Sequence, residues 1–422
     1  MALKIYDTMV PQGNYPAVNN GDVAPYYHTE REEVGKSHSE INTEYIYSLY
    51  EALVEQYPGK ITKTPLGTVT YTTNGVAQSF EIREYVISTG EYTTGYYSNL
   101  FGHDERIKKP KYLIISGTHG RERKTVFSAY KFVKDLLSGH NVPKEFREGA
   151  IVHIIPIANP SSFDDYTRWN RNRVDINRNF PHGGAWVPTD YDYDFDGQKD
   201  DYTNGASAAS EQETQIIINW LNANKDANLF VELHNMSETC NISCIFGAPN
   251  NSRVDEVKKI AMRGIDRVIP FWRDVMQYPK TLEVLRAVGY NQDGSLITGE
   301  VEMPVVFAYC VTANDTLKSS LCVYAANMVG IPGITVELST YYGDQKEWED
   351  DEKAGTYLKA YHPESIASGA EVLGNILIES YEQADMEVPT GVPIYNGEAV
   401  FHVDTTTYGQ YKTYAKYNGE VE

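Results

Sequence analysis

Two histidines and a glutamate in this sequence have the spacing and the setting of metal ligands. His119 and Glu122 follow an apolar run at 112–116, and His234 comes directly after a second apolar run at 229–233. Ligands of open α/β sheets bind beyond the carboxyl ends of strands, which is where these side chains are expected. Two imidazoles and one carboxylate suit zinc and leave one ligand position open. The pattern predicts a zinc ion that activates a water molecule.

A loop rich in arginine follows a third apolar run, at 151–157. Residues 167–181 contain four arginines, in a chain with 58 acidic and 37 basic residues. The guanidinium group binds carboxylates through two parallel hydrogen bonds, and a neighbouring asparagine amide can add a donor. Two interpretations stay open: a solvated loop whose arginines pair with nearby acids, or a pocket that captures the carboxylate of a substrate.

One further carboxylate, Glu337, lies in the apolar run at 333–338. A buried carboxylate is costly unless it has a partner or a function, so this position is a candidate for acid–base chemistry. The alternative is a residue near the end of a strand that faces solvent.

Alternating strands and helices are predicted to position these groups. Apolar runs predict strands at 68–72, 81–88, 112–116, 151–157, 229–233 and 334–338. Helical periodicity predicts helices at 40–56, 124–137, 211–221, 253–269, 316–328 and 365–384. This order predicts an α/β fold: a mixed, largely parallel twisted sheet with helices on both faces. We divide the chain into an N-terminal arm (1–38), a catalytic domain (39–386) and a small C-terminal β-type appendage (387–422).

The composition excludes several classes of partner. The 422 residues carry a net charge of −21, which disfavours nucleic acid and anionic membrane surfaces. No apolar run is long enough to span a bilayer, and no secretory signal is visible, so we expect a cytoplasmic protein, or one that is phage-associated or released. The four cysteines are predicted to be thiols, with a Cys240–Cys244 bridge as the main alternative.

Five segments, in this order along the chain, resemble the zinc metallocarboxypeptidases of the carboxypeptidase A/B-like family. They are THGRE at 118–122, RWNRNRVDINRNFP at 168–181, SEQET at 210–214, FVELH at 230–234 and GITVEL at 333–338. The resemblance covers roughly residues 40–385. It implies that His119, Glu122 and His234 bind one zinc ion and that Glu337 is the general base.

The same resemblance implies roles for the arginine loop. Arg168 matches the arginine that polarises the scissile carbonyl, and Asn177 with Arg178 matches the pair that holds the terminal carboxylate of the substrate. Tyr309 is our choice for the mobile tyrosine of the family. The implied partner is a peptide with a free C-terminal carboxylate. Its preferred side chain stays open, because Lys318 would suit an acidic side chain and Asp315 a basic one.

An acidic loop, Asp192–Asp201, has the oxygen spacing of a calcium site. The twelfth position of that loop is Thr203 rather than glutamate, so the EF-hand pattern fails. A solvated surface loop is the favoured interpretation, with a Ca²⁺ ion as the alternative.

The first 27 residues resemble leaders of some prophage-encoded structural proteins. That likeness implies a phage or prophage setting and a second candidate substrate class, murein stem peptides or isopeptide-linked glutamate. A third hypothesis comes from another class: a phage-associated binding module that keeps the peptidase fold without the activity. Retention of ligands, base and arginines together argues against the third.

Overall fold

The computed structural model describes part of the chain. The described residues are 40–73, 75–94, 106–140, 142–190, 203–235, 243–248, 252–274, 282–284, 295–297, 299–301, 305–309, 318–338, 363–384, 394–395 and 398–399. Their helices are α1 (Thr43–Gln56), α2 (Arg123–Ser138), α3 (Lys144–Gly149), α4 (Pro160–Asp165), α5 (Gln212–Ala223), α6 (Val254–Asp274), α7 (Leu321–Tyr324) and α8 (Pro363–Ala384). A 3₁₀ turn spans Ile176–Arg178, and a π-helical turn spans Ala325–Val329.

Strands of the described residues form one large sheet and three short two-stranded pairs. The large sheet contains β1 (Ile61–Thr73), β2 (Val76–Ile87), β5 (Lys111–Ile115), β6 (Ile151–Ile155), β7 (Leu229–Asn235), β8 (Ser243–Gly247), β11 (Val305–Tyr309) and β12 (Gly333–Leu338). The short pairs are β3 (Tyr92–Thr94) with β4 (Arg106–Lys108), β9 (Leu282–Val284) with β10 (Gly299–Val301), and β13 (Ile394–Tyr395) with β14 (Glu398–Ala399).

The eight-stranded sheet has the order β1-β2-β6-β5-β7-β12-β8-β11. Strands β6, β5, β7 and β12 run parallel, and β11 is parallel to β8. The pairs β1–β2, β2–β6 and β12–β8 are antiparallel. The predicted mixed, largely parallel sheet is therefore confirmed.

Helices cover both faces of this sheet. Alternate residues of β5 enter different cores: Tyr112 and Ile114 pack in one, and Leu113 and Ile115 in the other. The first core is closed by residues of α1, α2, α6 and α8, and the second by residues of α5 and α7. Because both faces are buried, the central strands are continuous apolar runs, which is why the sequence revealed them.

Parallel pairing brings the ends of the central strands to one edge of the sheet. Strand β7 lies between β5 and β12, with Ile115 and Thr335 both in register with Glu232. Glu337 is in register with His234 on the neighbouring strand. The residues that follow β5, including His119 and Glu122, therefore emerge beside His234 and Glu337.

Two predicted elements differ from the structure. Of the helix predicted at 316–328, the structure describes 318–328, where a short α-helix, α7, continues as the π-helical turn Ala325–Val329 and ends at Gly330. From Ala325 the backbone hydrogen bonds join residues five apart instead of four. The apolar spacing of the sequence gives no sign of that change. The strands predicted at 68–72 and 81–88 are longer, because β1 and β2 extend as a hairpin beyond their apolar part.

A buried glutamate in the helical layer gives a stability prediction. Glu371 of α8 is buried, and burial together with nearby Asp135 raises its pKa to about 8, against the opposing charge of Lys131. Between about pH 4.5 and about pH 8, Glu371 is therefore protonated in the folded chain and ionised in the unfolded chain. Each pH unit of this range lowers the free energy of unfolding by about 1.4 kcal/mol.

Replacing Glu371 with glutamine is expected to remove this cost. The melting temperature of Glu371→Gln should match that of the parent near pH 4.5 and exceed it by a few degrees above pH 8. Thermal unfolding followed by circular dichroism across that pH range measures the difference. Parallel melting curves of parent and variant at all pH values would contradict the prediction.

Some sequence predictions fall on other parts of the chain. The N-terminal arm (1–38) and the acidic loop Asp192–Asp201 lie outside the described residues, so the leader and the calcium site stay predictions. The pair β13–β14 lies within the predicted C-terminal appendage, whose boundary also stays a prediction. Cys244 and Cys322 are buried thiols. Among the described helices, none has the length and apolar character needed to cross a bilayer.

Candidate metal centre

Three side chains from distant parts of the chain converge at the edge of the sheet. His119 and Glu122 lie between β5 and α2, and His234 lies near the end of β7. One ligand atom from each residue lies within 4.8 Å of the other two, and all three residues are buried. Among the described residues, this is the group of histidine and acidic side chains whose spacing could hold a metal ion.

The two imidazoles present the same ring nitrogen to the shared position. Nδ1 of His119 lies 2.7 Å from Oε1 of Glu122, and Nδ1 of His234 lies 2.9 Å from Oε2. The Nε2 atoms face away, toward Oδ1 of Asp175 at 3.1 Å and Oε1 of Glu232 at 2.6 Å. A carboxylate therefore lies behind each ring, on the side that faces away from Glu122. The donor set therefore fits a divalent ion held by both Nδ1 atoms and Glu122.

The electrostatics favour a positive charge between these groups. Burial lowers the pKa of His234, yet Glu232 and Glu122 together hold that pKa well above its usual value. Burial acts to raise the pKa of Glu122, but His119 and His234 hold it well below its usual value. The negative charges of Glu232 and Glu122, which here favour a proton on His234, would also attract a bound cation.

Two glycines determine the backbone path of the loop between β5 and α2, which carries His119 and Glu122. Gly117, directly after β5, has φ +62°, and a Cβ there would meet the backbone of Ile157 at 3.1 Å. At Gly120, a Cβ would lie 2.0 Å from the carbonyl oxygen of Ser162. The Gly120 amide donates to the Ser162 hydroxyl at 2.9 Å. Glycine is needed at both positions, because the loop packs directly against the segment that leads to Arg168.

Arg168 points into the site rather than to solvent. Its Nε donates to Oδ2 of Asp175 at 2.8 Å, and its Nη1 lies 3.3 Å from Nδ1 of His119 and 3.8 Å from Oε1 of Glu122. Burial acts to raise the pKa of Asp175, but Arg168 and His119 hold it well below its usual value. Asp175 thus joins the arginine loop to a candidate metal ligand.

Asn177 and Arg178 lie in the 3₁₀ turn that follows Asp175. The Asn177 side chain approaches Nε2 of His234 at 3.0 Å and accepts from the Leu321 amide at 2.8 Å. Arg178 is half-buried, and its Nη1 donates to the carbonyl oxygen of Asn177 at 2.9 Å. The other loop arginines face elsewhere: Arg171 pairs with Asp165 through two bonds of 2.8 Å. Arg171 thus fits the interpretation of an arginine paired with a nearby acid, whereas capture of a substrate carboxylate by Asn177 and Arg178 stays a prediction.

Glu337 lies beside the candidate ligand triad, His119, Glu122 and His234, on the strand next to β7. It is partly buried and is in register with His234 across the β7–β12 pair. Burial raises its pKa to about 7, against the attraction of His234. A carboxylate with a pKa near neutrality is suited to accept and return a proton. Tyr309 ends β11, and its side chain lies outside the described residues, so its role stays a prediction.

The comparisons with known proteins place this chain in a family. Residues 46–296 match the sequence profile described as zinc carboxypeptidase. The chain belongs to the zinc carboxypeptidase family. It is a metallocarboxypeptidase, a hydrolase of a family that uses zinc and acts on peptides at their C-terminus. The predicted family is thereby confirmed. No curated protein matches the sequence.

Solved structures show the same fold. The chain is similar to carboxypeptidase A from Helicoverpa armigera (16% identity, TM-score 0.55, covering 90% of this chain and 81% of that one). It is also similar to thrombin activatable fibrinolysis inhibitor (15% identity, TM-score 0.55, covering 90% and 80%). A metallo-carboxypeptidase from Burkholderia cenocepacia matches with a TM-score of 0.50 and 15% identity, covering 79% and 68%.

The zinc carboxypeptidase profile does not reach every site residue. It spans the triad and the arginine loop but ends at residue 296, before Glu337. The sheet register brings Glu337 to the site. Sequence reasoning missed Asp175 and Glu232, although Glu232 carried a readable signal. It is a charged residue in the buried run FVEL, the same signal that singled out Glu337.

Proposed function

We propose that this zinc carboxypeptidase removes the C-terminal residue of a peptide, with zinc bound by His119, Glu122 and His234 and with Glu337 as the general base. The observation that carries the proposal is the convergence of three ligand atoms within 4.8 Å beside a carboxylate in register with His234. Bound zinc supplies Lewis-acid activation of the carbonyl oxygen and of a water molecule.

Glu337 moves the proton that hydrolysis requires. Its ionised carboxylate takes a proton from the attacking water as the new C–O bond forms. Its protonated form then gives that proton to the nitrogen of the leaving residue as the C–N bond breaks. Burial raises the pKa of the Glu337 carboxyl above its usual value, which favours its holding the proton until the leaving nitrogen accepts it.

The arginines are proposed to divide the negative charge of the substrate. Arg168, held by Asp175 beside His119, would stabilise the charge that develops on the carbonyl oxygen. Arg178 would bind the terminal carboxylate, with Asn177 beside it. Fixing the end of the substrate in this way leaves only the last peptide bond within reach of the metal.

A metal-dependence experiment tests this function. The purified chain is incubated with a mixed set of peptides, and released amino acids are identified by mass spectrometry. We expect one residue to be released from the C-terminus, release to stop after treatment with a chelator, and added zinc to restore it. The same peptides with an amidated C-terminus are the control and should resist cleavage. Internal cleavage, or release that survives the chelator, would contradict the proposal.

A further inference from the structure

A buried carboxylate that the proposed reaction does not use lies directly behind one of the candidate ligands. Glu232 sits in the middle of β7, the central strand between β5 and β12, and is fully buried. Burial of a charge in such a place is costly unless the charge is paired and hydrogen-bonded. Its partners therefore indicate what the charge is for.

The shortest contact of Glu232 is with His234. Oε1 lies 2.6 Å from Nε2 of the ring, whereas the hydroxyls of Thr118 and Thr335 approach the two carboxylate oxygens at 3.4 and 3.3 Å. The Asn177 amide also approaches Nε2, at 3.0 Å, but it is neutral. Among the described residues, the ion-pair contact of Glu232 is with this imidazole.

Strand geometry explains why the pair forms. Residues two apart on a strand project from the same face, so Glu232 and His234 lie side by side. Thr335 and Glu337, in register with them on β12, project beside them. The carboxylate of Glu232 thus lies two residues before His234 on β7, farther from the end of the strand.

Glu232 contacts Nε2 of His234 as Asp175 contacts Nε2 of His119, with one difference. Asp175 also accepts from Arg168, so part of its charge is compensated by a guanidinium group. Glu232 is bonded to the ring and to neutral hydroxyls. Its charge therefore acts mainly on His234.

We propose that Glu232 is a positioning residue of the metal centre: its carboxylate holds the proton of His234 on Nε2, turns Nδ1 toward the ion and strengthens the ring as a ligand. The inference rests on the proposed zinc site. A carboxylate behind a ligating histidine typically contributes about 10–100-fold to metal affinity or activity.

The zinc affinity of purified parent and variant proteins tests this role. The dissociation constant for zinc is measured by competition with a chromophoric chelator for the parent, Glu232→Gln and Glu84→Gln. Glu84 is the matched control, because it is a buried carboxylate of the same sheet that contacts Nδ1 of His153 at 2.7 Å, outside the metal centre. We expect Glu232→Gln to bind zinc about 10–100-fold more weakly and Glu84→Gln to bind it like the parent.

A purely structural Glu232 would give a different result. Glu232→Gln would then alter the melting temperature of the metal-free chain and leave the zinc dissociation constant unchanged, which would overturn the proposal. Equal weakening in Glu84→Gln would overturn it as well. Failure of the parent itself to bind zinc would instead contradict the proposed function.

A second variant covers the case in which Glu232→Gln does not fold. Glu232→Asp keeps the charge but withdraws it from Nε2, and we expect its zinc affinity to lie between those of the parent and Glu232→Gln. Where Glu232→Asp is the folded variant, reduced zinc affinity supports the contact, and affinity equal to that of the parent overturns it.

Discussion

Replacing Glu337 with glutamine is expected to lower kcat for release of a C-terminal residue by about 10²–10⁴-fold, the usual contribution of a general base. Glutamine has the same shape but cannot accept a proton from water at neutral pH. Because Glu337 is not one of the three groups that converge as ligands, the variant should bind as much zinc as the parent.

The sheet makes this a test of chemistry rather than of folding. Glu337 lies on β12, whose pairing with β7 and β8 is made by the backbone and does not depend on the side chain. Burial raises its pKa to about 7, so the uncharged amide costs less to bury than the carboxylate. We therefore expect the melting temperature of Glu337→Gln to equal or exceed that of the parent.

Steady-state kinetics on one peptide, with zinc content measured on the same samples, checks the prediction. Glu84→Gln serves again as the control, since it removes another buried carboxylate of the sheet without touching the site. Full activity in Glu337→Gln would refute the proposed base. A loss shared by Glu84→Gln would show that the effect comes from the sheet.

The parts of the fold that could be predicted are those whose pattern lies in consecutive residues of the sequence. The runs that became β5, β6, β7 and β12 are apolar on both faces, because helices cover both sides of the sheet. The hairpin of β1 and β2 was also readable, since two residues separate Thr73 from its partner Val76.

Pairing between distant segments could not be read in the same way. Strand β12 inserts between β7 and β8 and runs antiparallel to β8, which follows β7 in the chain. Strands β8 and β11, at the edge of the sheet, were not predicted. No local pattern encodes that insertion, because register is decided by packing against strands far away in sequence.

The site was predictable to the extent that single residues were out of place. Glu337, a carboxylate in an apolar run, conflicts with local burial preferences, and such conflicts mark functional positions. His119 was found because it follows a predicted strand, where ligands of α/β sheets bind. Asp175 could not be recognised in this way, because an aspartate among arginines is ordinary in a polar loop. Its buried contacts with His119 and Arg168 exist only after the loop folds back onto the sheet.

Arg168 is the second position where we expect a large effect. Arg168→Lys should lower kcat by about 10²–10³-fold, the loss seen when one donor to a developing oxyanion is removed. Lysine keeps the positive charge but not the planar fork, which donates through Nε to Asp175 at 2.8 Å while directing Nη1 toward the metal position. KM should change less than kcat, because the charge on the carbonyl oxygen develops only in the transition state.

Arg171→Lys provides the matched control for the arginine loop. Arg171 is three residues away, pairs with Asp165 at the surface and stacks on Phe80, so its replacement should leave kcat near that of the parent. Equal losses in both variants would mean that the loop, and not the guanidinium beside His119, limits the reaction. A rise in KM at constant kcat in Arg168→Lys would assign this residue to substrate binding rather than to transition-state stabilisation.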